Sequence, residues 1–193
     1  MQRKYKKYKE KYQLLKKTTN YNLGDGAQVS IIKNYISNTK DIFDELKSKI
    51  PWRRFEYFVH GRKVKSPRLM NIVDLTVDNN NLDNFNRVKR KIERIAKRKF
   101  TYAVLNYYRN GKDYIGFHAD REVGKDNIVV SVSLGATRRF VLRHKIREMT
   151  RHEFLLEDGD VMIFNEKAIK SVYKHSIPKM ANVGQRINIT FRQ

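Results

Sequence analysis

The chain has 193 residues, 40% of them hydrophobic, which suits one domain with a continuous core better than two. It carries 42 Lys and Arg against 20 Asp and Glu, a formal net charge of +22, and an excess of that size calls for a polyanionic partner, nucleic acid first among them. Absence of cysteine excludes disulfides and thiolate metal sites and points to an intracellular compartment, with nucleus and cytoplasm both open; no apolar run approaches the roughly 18 residues of a membrane span and no secretory signal is evident, so no membrane partner is expected.

Residues 1–24, opening MQRKYKKYKEKYQLLKK, lack an apolar stripe and read as a basic N-terminal arm suited to phosphates; residues 25–193 read as the folded domain. From Ser37 the spacing turns helical: Ser37, Asn38 or Thr39 can cap, and Ile42, Phe43, Leu46 and Ile50 form a stripe that ends before Pro51. A second helix is predicted over about Asn84 to Lys99, with Phe85, Val88, Ile92, Ile95 and Ala96 inward and a basic outer face of Arg87, Lys89, Arg90, Arg94, Lys97 and Arg98.

Beyond it the period changes to two, predicting strands over Thr101 to Tyr108, Asn127 to Leu134, Arg139 to His144, Asp160 to Asn165, Ser171 to Ile177 and Arg186 to Arg192. Turn signals at Asn110-Gly111, Gly135 and Asp158-Gly159-Asp160 separate several of them. Helices followed by many short strands predict an α+β domain whose β part is a sandwich, jelly roll or barrel.

Two features carry chemistry. His118 and Asp120 sit at i and i+2, so on an extended segment both reach one ion, and His175 is the candidate third ligand of a two-histidine, one-carboxylate site of the kind used by non-haem iron oxygenases. The closing strand alternates: Arg186, Asn188, Thr190 and Arg192 fall on one face, Ile187, Ile189 and Phe191 on the other. An arginine enclosed in a small barrel needs an anion, and a dicarboxylate held at an iron would supply it.

Taken together, NYYRNGKDYIGFHAD (Asn106 to Asp120), SVSLGATRRFVLRHK (Ser131 to Lys145), His175 and RINITFR (Arg186 to Arg192) resemble the AlkB family of Fe(II) and 2-oxoglutarate dependent dioxygenases, most of all its members that repair alkylated duplex DNA. The resemblance runs from about Pro51 to the C-terminus and implies a double-stranded β-helix (jelly-roll) core with N-terminal helices packed outside. It implies that His118, Asp120 and His175 bind iron. It also implies that Asn106, Tyr108, Arg186 and Arg192 bind 2-oxoglutarate, that O2 is consumed, and that Glu122 faces the damaged base.

FVHGRKVKSPRLM (Phe58 to Met70) resembles the family's substrate loop, with Arg68 and other basic residues gripping the substrate and His60 standing where a phenylalanine wedge is expected. The implied activity is oxidative demethylation of bases such as 1-methyladenine and 3-methylcytosine in DNA, with RNA the other candidate, releasing succinate, CO2 and formaldehyde. A monomer is expected. The rival readings are a non-catalytic nucleic-acid binding module on the same fold and a protein side-chain oxygenase.

Overall fold

A computed structural model describes Leu14 and residues 17–59 and 61–193 of the chain, without the side chains of residues 58 and 59. Thirteen strands and two α-helices are formed among the described residues. The strands are β1 (Thr18–Asn22), β2 (Gln28–Ile32), β3 (Glu56–Val59), β4 (Arg62–Lys65), β5 (Leu69–Asp74), β6 (Tyr102–Tyr108), β7 (Ile115–His118), β8 (Ile128–Gly135), β9 (Arg138–His144), β10 (Arg151–Leu156), β11 (Val161–Asn165), β12 (Tyr173–Ile177) and β13 (Arg186–Arg192). The helices are α1 (Thr39–Lys49) and α2 (Asp83–Ala96), and a π-helical turn covers Lys167–Ser171.

All strand pairs are antiparallel. A seven-stranded sheet runs in the order β1-β2-β11-β8-β13-β6-β5, a four-stranded sheet in the order β10-β9-β12-β7, and β3 and β4 form a separate hairpin. Val29, Ile31, Val129, Met162 and Phe164 of the larger sheet pack against Phe140, Leu142, Tyr173 and Ile177 of the smaller one, closing the two sheets into a jelly roll. On the larger sheet's outer face lie α1 and α2, where Ile42, Leu46, Phe85, Val88 and Ile92 meet Ala103, Leu105, Val132, Ile187, Ile189 and Phe191.

Period-two alternation therefore sorts each central strand into a helix-facing apolar row and a row that faces the jelly-roll interior. The sorting is strictest on β13, all seven residues of which are buried. Its polar face meets no bulk solvent; it lines a cavity, together with Val104, Asn106 and Tyr108 of β6 and Val129 and Ser131 of β8.

The N-terminal arm expected over residues 1–24 overlaps the sheet, since Thr18–Asn22 is β1 and pairs with β2; most of the rest of that segment lies outside the described residues. The predicted strands correspond to β6, β8, β9, β11, β12 and β13; β1 to β5, β7 and β10 are not among them. Of these, β1, β4 and β5 are edge or hairpin strands with mostly exposed or half-exposed side chains, whereas β2 is an interior strand of only five residues. The second helix ends at Ala96 rather than Lys99 because Lys97 turns left-handed, with φ of 53°, and its N–H closes on Glu93 O.

Neither helix is capped by its own N-terminal side chain. Asn38 occupies the cap position of α1 in a left-handed conformation, without a side-chain cap bond. At the start of α2 stands Leu82, whose side chain has no acceptor to cap with, and Glu45 of α1 takes over: its Oε1 accepts from Asn84 N at 3.1 Å and its Oε2 from Phe85 N at 2.9 Å. A carboxylate at a helix N-terminus satisfies otherwise orphaned N–H groups and complements the helix dipole. Glu45→Ala leaves those donors buried without partners and is expected to lower stability by about 1–3 kcal/mol, with Glu45→Gln milder, as read by thermal unfolding.

Candidate active site

β7 and β12 are paired so that His118 lies directly across from His175. Directly opposed residues of an antiparallel pair share a face, and here the two imidazole centroids are 4.1 Å apart. Asp120 follows β7 by two residues, anchored through its N–H to Ile169 O at 3.2 Å in the π-helical turn. Asp120 Oδ1 is 3.6 Å from His118 Nε2 and 3.7 Å from His175 Nε2, and one ligand atom from each of the three lies within 4.8 Å of the others.

The histidines face inward through Nε2 for identifiable reasons. His118 Nδ1 is 2.9 Å from Gly116 O, which assigns the proton to Nδ1 and leaves the Nε2 lone pair free. His175 is stacked on Phe140 at 5.5 Å and nearly parallel. Burial lowers the pKa of both imidazoles, most strongly for His175, where His118 and Arg68 push the same way; for His118 the Gly116 and Asp120 contacts oppose it. Both rings are therefore neutral near pH 7, the protonation state that a metal requires. Two neutral imidazoles and one carboxylate converging on a point fit a divalent iron and leave room for further ligands.

Arg186, the first residue of β13, lies at a second position on the cavity wall. It is 1% exposed. Its Nη2 donates to Ser133 Oγ at 2.9 Å, while Nε and Nη1 are buried without a partner. Burial pushes its pKa down to about 10, the Arg138 guanidinium adding to the effect and Tyr108 opposing it, so the group is still a cation at neutral pH. A buried guanidinium with two unmatched nitrogens fits a carboxylate. Tyr108 is its cross-strand neighbour, with Arg186 Cζ 5.5 Å from the ring centroid.

Asn106 Oδ1 accepts from Arg68 Nε at 2.6 Å, which brings a second buried guanidinium to the same cavity. Arg192, at the far end of β13, is engaged with acids: its Nη2 donates to Asp120 Oδ2 at 2.7 Å and its Nη1 pairs with Glu122. The chain turns at Arg121–Glu122, so Glu122 does not continue the period-two alternation of His118 and Asp120. Glu122 reaches the cavity rim nonetheless, half-exposed and held by Arg192. His60 falls outside the described residues.

These side chains line one cavity of about 300 Å³. His118, Asp120, His175, Asn106, Tyr108, Arg186, Arg192, Glu122 and Arg68 all contribute to its wall.

Sequence reasoning assigned no role to Ser131 and Ser133, which fix Asn188 and Arg186, or to Arg138. Arg138 is 0% exposed and donates to Asn110 O, Asp113 O and Pro178 O, tying the loop before β7 to the segment after β12. A signal for it was present: with Phe140 and Leu142 facing in, period two puts Arg138 inside and Arg139 outside, where Arg139 meets Glu153.

Residues 28–192 match the family model of the 2OG-Fe(II) oxygenase superfamily. The DNA oxidative demethylase ALKBH2 of Bos taurus is 32% identical over 117 residues, covering 55% of this chain and 42% of that protein. Its namesake in Arabidopsis thaliana is 28% identical over 212 residues, covering 88% of this chain and 67% of that protein. The chain thus spans about half the length of the curated relatives it matches. Among solved structures, OsALKBH1 superposes with a TM-score of 0.60 at 18% identity, over 86% of this chain and 97% of the other, a likeness of fold. Since the family model takes in nearly the whole described domain and the named relatives are AlkB homologues, the chain belongs to the 2OG-Fe(II) oxygenase superfamily, in its AlkB family.

Proposed function

We propose that the protein is an Fe(II) and 2-oxoglutarate dependent dioxygenase that removes N-methyl groups from bases such as 1-methyladenine and 3-methylcytosine in nucleic acid, acting inside the cell as a monomer. The observation that carries this reading is the convergence of His118, Asp120 and His175 in the same cavity as Arg186, a buried guanidinium with two unmatched nitrogens. The net charge of +22 favours a nucleic-acid substrate over a protein one. The ALKBH2 relatives are named as DNA oxidative demethylases, which supports the same substrate class.

In this reading His118, Asp120 and His175 would hold the iron through Nε2, a carboxylate oxygen and Nε2. Iron and 2-oxoglutarate, when bound, supply the oxidising chemistry that hydroxylates the N-methyl carbon, so that formaldehyde leaves and the base is restored, with O2 consumed and succinate and CO2 released. The Arg192 hydrogen bond to Asp120 Oδ2 turns Oδ1 toward the two imidazoles and fixes the carboxylate before any ion arrives. Arg186 would grip the distal carboxylate of the cosubstrate, with Tyr108 beside it. Asn106, oriented by Arg68, would bind the same molecule nearer the metal.

Glu122 would accept a hydrogen bond from the exocyclic amino group of the base. The hairpin β3–β4, with Tyr57 and Val64 exposed and Arg62, Lys63 and Lys65 around them, would meet the strand outside the cavity, and His60 belongs to this proposed contact.

Arg186→Ala is expected to retain iron and to weaken 2-oxoglutarate binding by about 2–3 kcal/mol, roughly 30- to 150-fold, because the distal carboxylate loses a charged partner. Cosubstrate titration monitored calorimetrically checks this; an unchanged dissociation constant removes Arg186 from the site.

The function itself is tested by mass spectrometry of 1-methyladenine and 3-methylcytosine oligonucleotides, as single- and double-stranded DNA and RNA, incubated with Fe(II), 2-oxoglutarate and either wild type or His118→Ala. Loss of the methyl mass with wild type alone is the expected result. No loss on any substrate, with cosubstrate still bound, would overturn the nucleobase reading; turnover of methylated peptides alone would establish a protein oxygenase instead.

A further inference from the structure

The basic face of α2 takes no part in the cavity. Residues 84–99 contain eight Lys and Arg and a single acid, Glu93, which is buried and paired with Lys99. Arg87, Arg90, Arg94 and Lys97 are exposed, and among the described residues none of them pairs with a carboxylate. At about 100° per residue all four fall within one quarter of the helix circumference, so like charges stand at the i, i+3 and i, i+4 spacings that destabilise a helix. Lys91, on the flank of the stripe, has its pKa lowered by burial first and then by Lys17 and Arg94.

Lys97 adds a second mark. Six non-glycine residues have positive φ among the described residues; five are Asn or Asp, and the sixth is Lys97. Asn and Asp tolerate the left-handed region and glycine prefers it at a helix end, whereas lysine is strained there. The chain keeps a cation where glycine would fit better.

The stripe also has a direction. Arg98 Nη1 donates to Asp126 O at 3.2 Å, in the loop after β7 that carries Asp120 and Glu122. Thr101 N donates to Arg192 O at 2.9 Å, and Gln193 Nε2 to Lys99 O at 3.0 Å. The segment that follows α2 is therefore tied to the loop carrying Glu122 and to the end of β13 at Arg192, and Lys97, Arg94, Arg90 and Arg87 lead away from there across about 15 Å of helix. Arg90, Arg94, Lys97 and Arg98, with Glu93 and Lys99, border a surface cleft of about 460 Å³. A strand places one phosphate per roughly 3.4 Å of rise, so that length matches about four phosphates. An anionic membrane is a poorer partner, because the apolar face of α2 that would enter it is sealed in the core, with Phe85 and Ile92 at 0% exposure.

We propose that Lys97, Arg94, Arg90 and Arg87 form a track for the phosphate backbone on one flank of the nucleotide held in the cavity, entered past Glu122 and Arg98. This rests on the nucleic-acid reading above and adds a polarity to it: nucleotides on one side of the lesion contribute to binding and those on the other side do not use this surface.

The test uses the full chain and oligonucleotides carrying 1-methyladenine at one end, extended on the 5′ or the 3′ side only, with affinity followed by fluorescence anisotropy across a salt series. Wild type is expected to gain from one extension more than from the other. The combined variant R87Q/R90Q/R94Q/K97Q is expected to lose that gain and to reduce the salt slope on that substrate by about 2–3, at roughly 0.7 per phosphate contact on a single strand. Its turnover of a methylated trinucleotide should equal wild type, which also shows that it is folded. Lys97→Gly alone should bind the favoured extension more weakly while melting at a higher temperature.

Equal affinities and slopes for wild type and the combined variant, or equal losses on both extensions, would overturn the track and leave the demethylase reading intact. Wild type that turns over no trinucleotide fails the demethylase reading separately. Binding of the stripe to phosphatidylserine vesicles without any contribution to nucleic-acid binding would reassign the surface to a membrane.

Discussion

A guanidinium sealed inside a jelly roll must be matched by an anion or held by dipoles, and Arg186 is matched by neither in full. One nitrogen has Ser133, and two have nothing. An arrangement of that kind costs stability unless an anion completes it, and it requires a surrounding structure that leaves the side chain no alternative. The sheet supplies that constraint. Arg186 is the first residue of a central strand with β8 on one side and β6 on the other, so its direction is fixed by ladders on both edges. Arg138 and Tyr108 crowd the same corner and hold the side chain against the cavity wall.

The same strand explains why the helices lie where they do. A strand whose inner face is given over to Arg186, Asn188, Thr190 and Arg192 contributes few apolar side chains to the inner core there. Its stabilisation comes from the other face, where Ile187, Ile189 and Phe191 are wholly buried under α1 and α2. Phe85 stacks on Phe191 at 6.0 Å, and Glu45 joins the two helices by holding the start of α2. At about 25 cal/mol per Å² of apolar surface, burial of three large side chains on one strand offsets imperfectly satisfied polar groups on its reverse. The helical layer is thus what allows a polar interior, although no atom of it enters the cavity.

Sequence legibility followed the same physics. β13 was legible to the residue because both of its rows are chemically pure. His118, Asp120 and His175 were legible as types in an order; that they converge depended on a cross-strand pairing that no local pattern encodes. β1, β4 and β5 were invisible because edge or hairpin strands half open to water need no alternation, and the interior strand β2 because its five residues are too few to establish a period. Arg138 was legible in principle from Phe140 and Leu142, but adjacent arginines look alike until the inward face is known. Glu45 as a cap for another helix was beyond reach, since its partners lie about forty residues away. Glu122 shows a different limit: extension from His118 would have been the wrong route to it, because the chain turns and Arg192 fixes the side chain by charge.

Charge within the cavity ties these elements together. Its wall carries three guanidiniums, on Arg68, Arg186 and Arg192, against two carboxylates, on Asp120 and Glu122, while the two imidazoles are held neutral. Arg192 is spent on both acids, so the unbalanced positive charge belongs to Arg186 and Arg68. A divalent cation at the histidines would raise that excess, and a dianion reaching from there toward Arg186 would return it to its starting value. Neither addition is electrostatically comfortable by itself at low effective dielectric, and each improves the site for the other. The geometry of β13 enforces this coupling, because one strand carries Arg192 against the metal-facing carboxylate and Arg186 at the other end of the cavity, in fixed register.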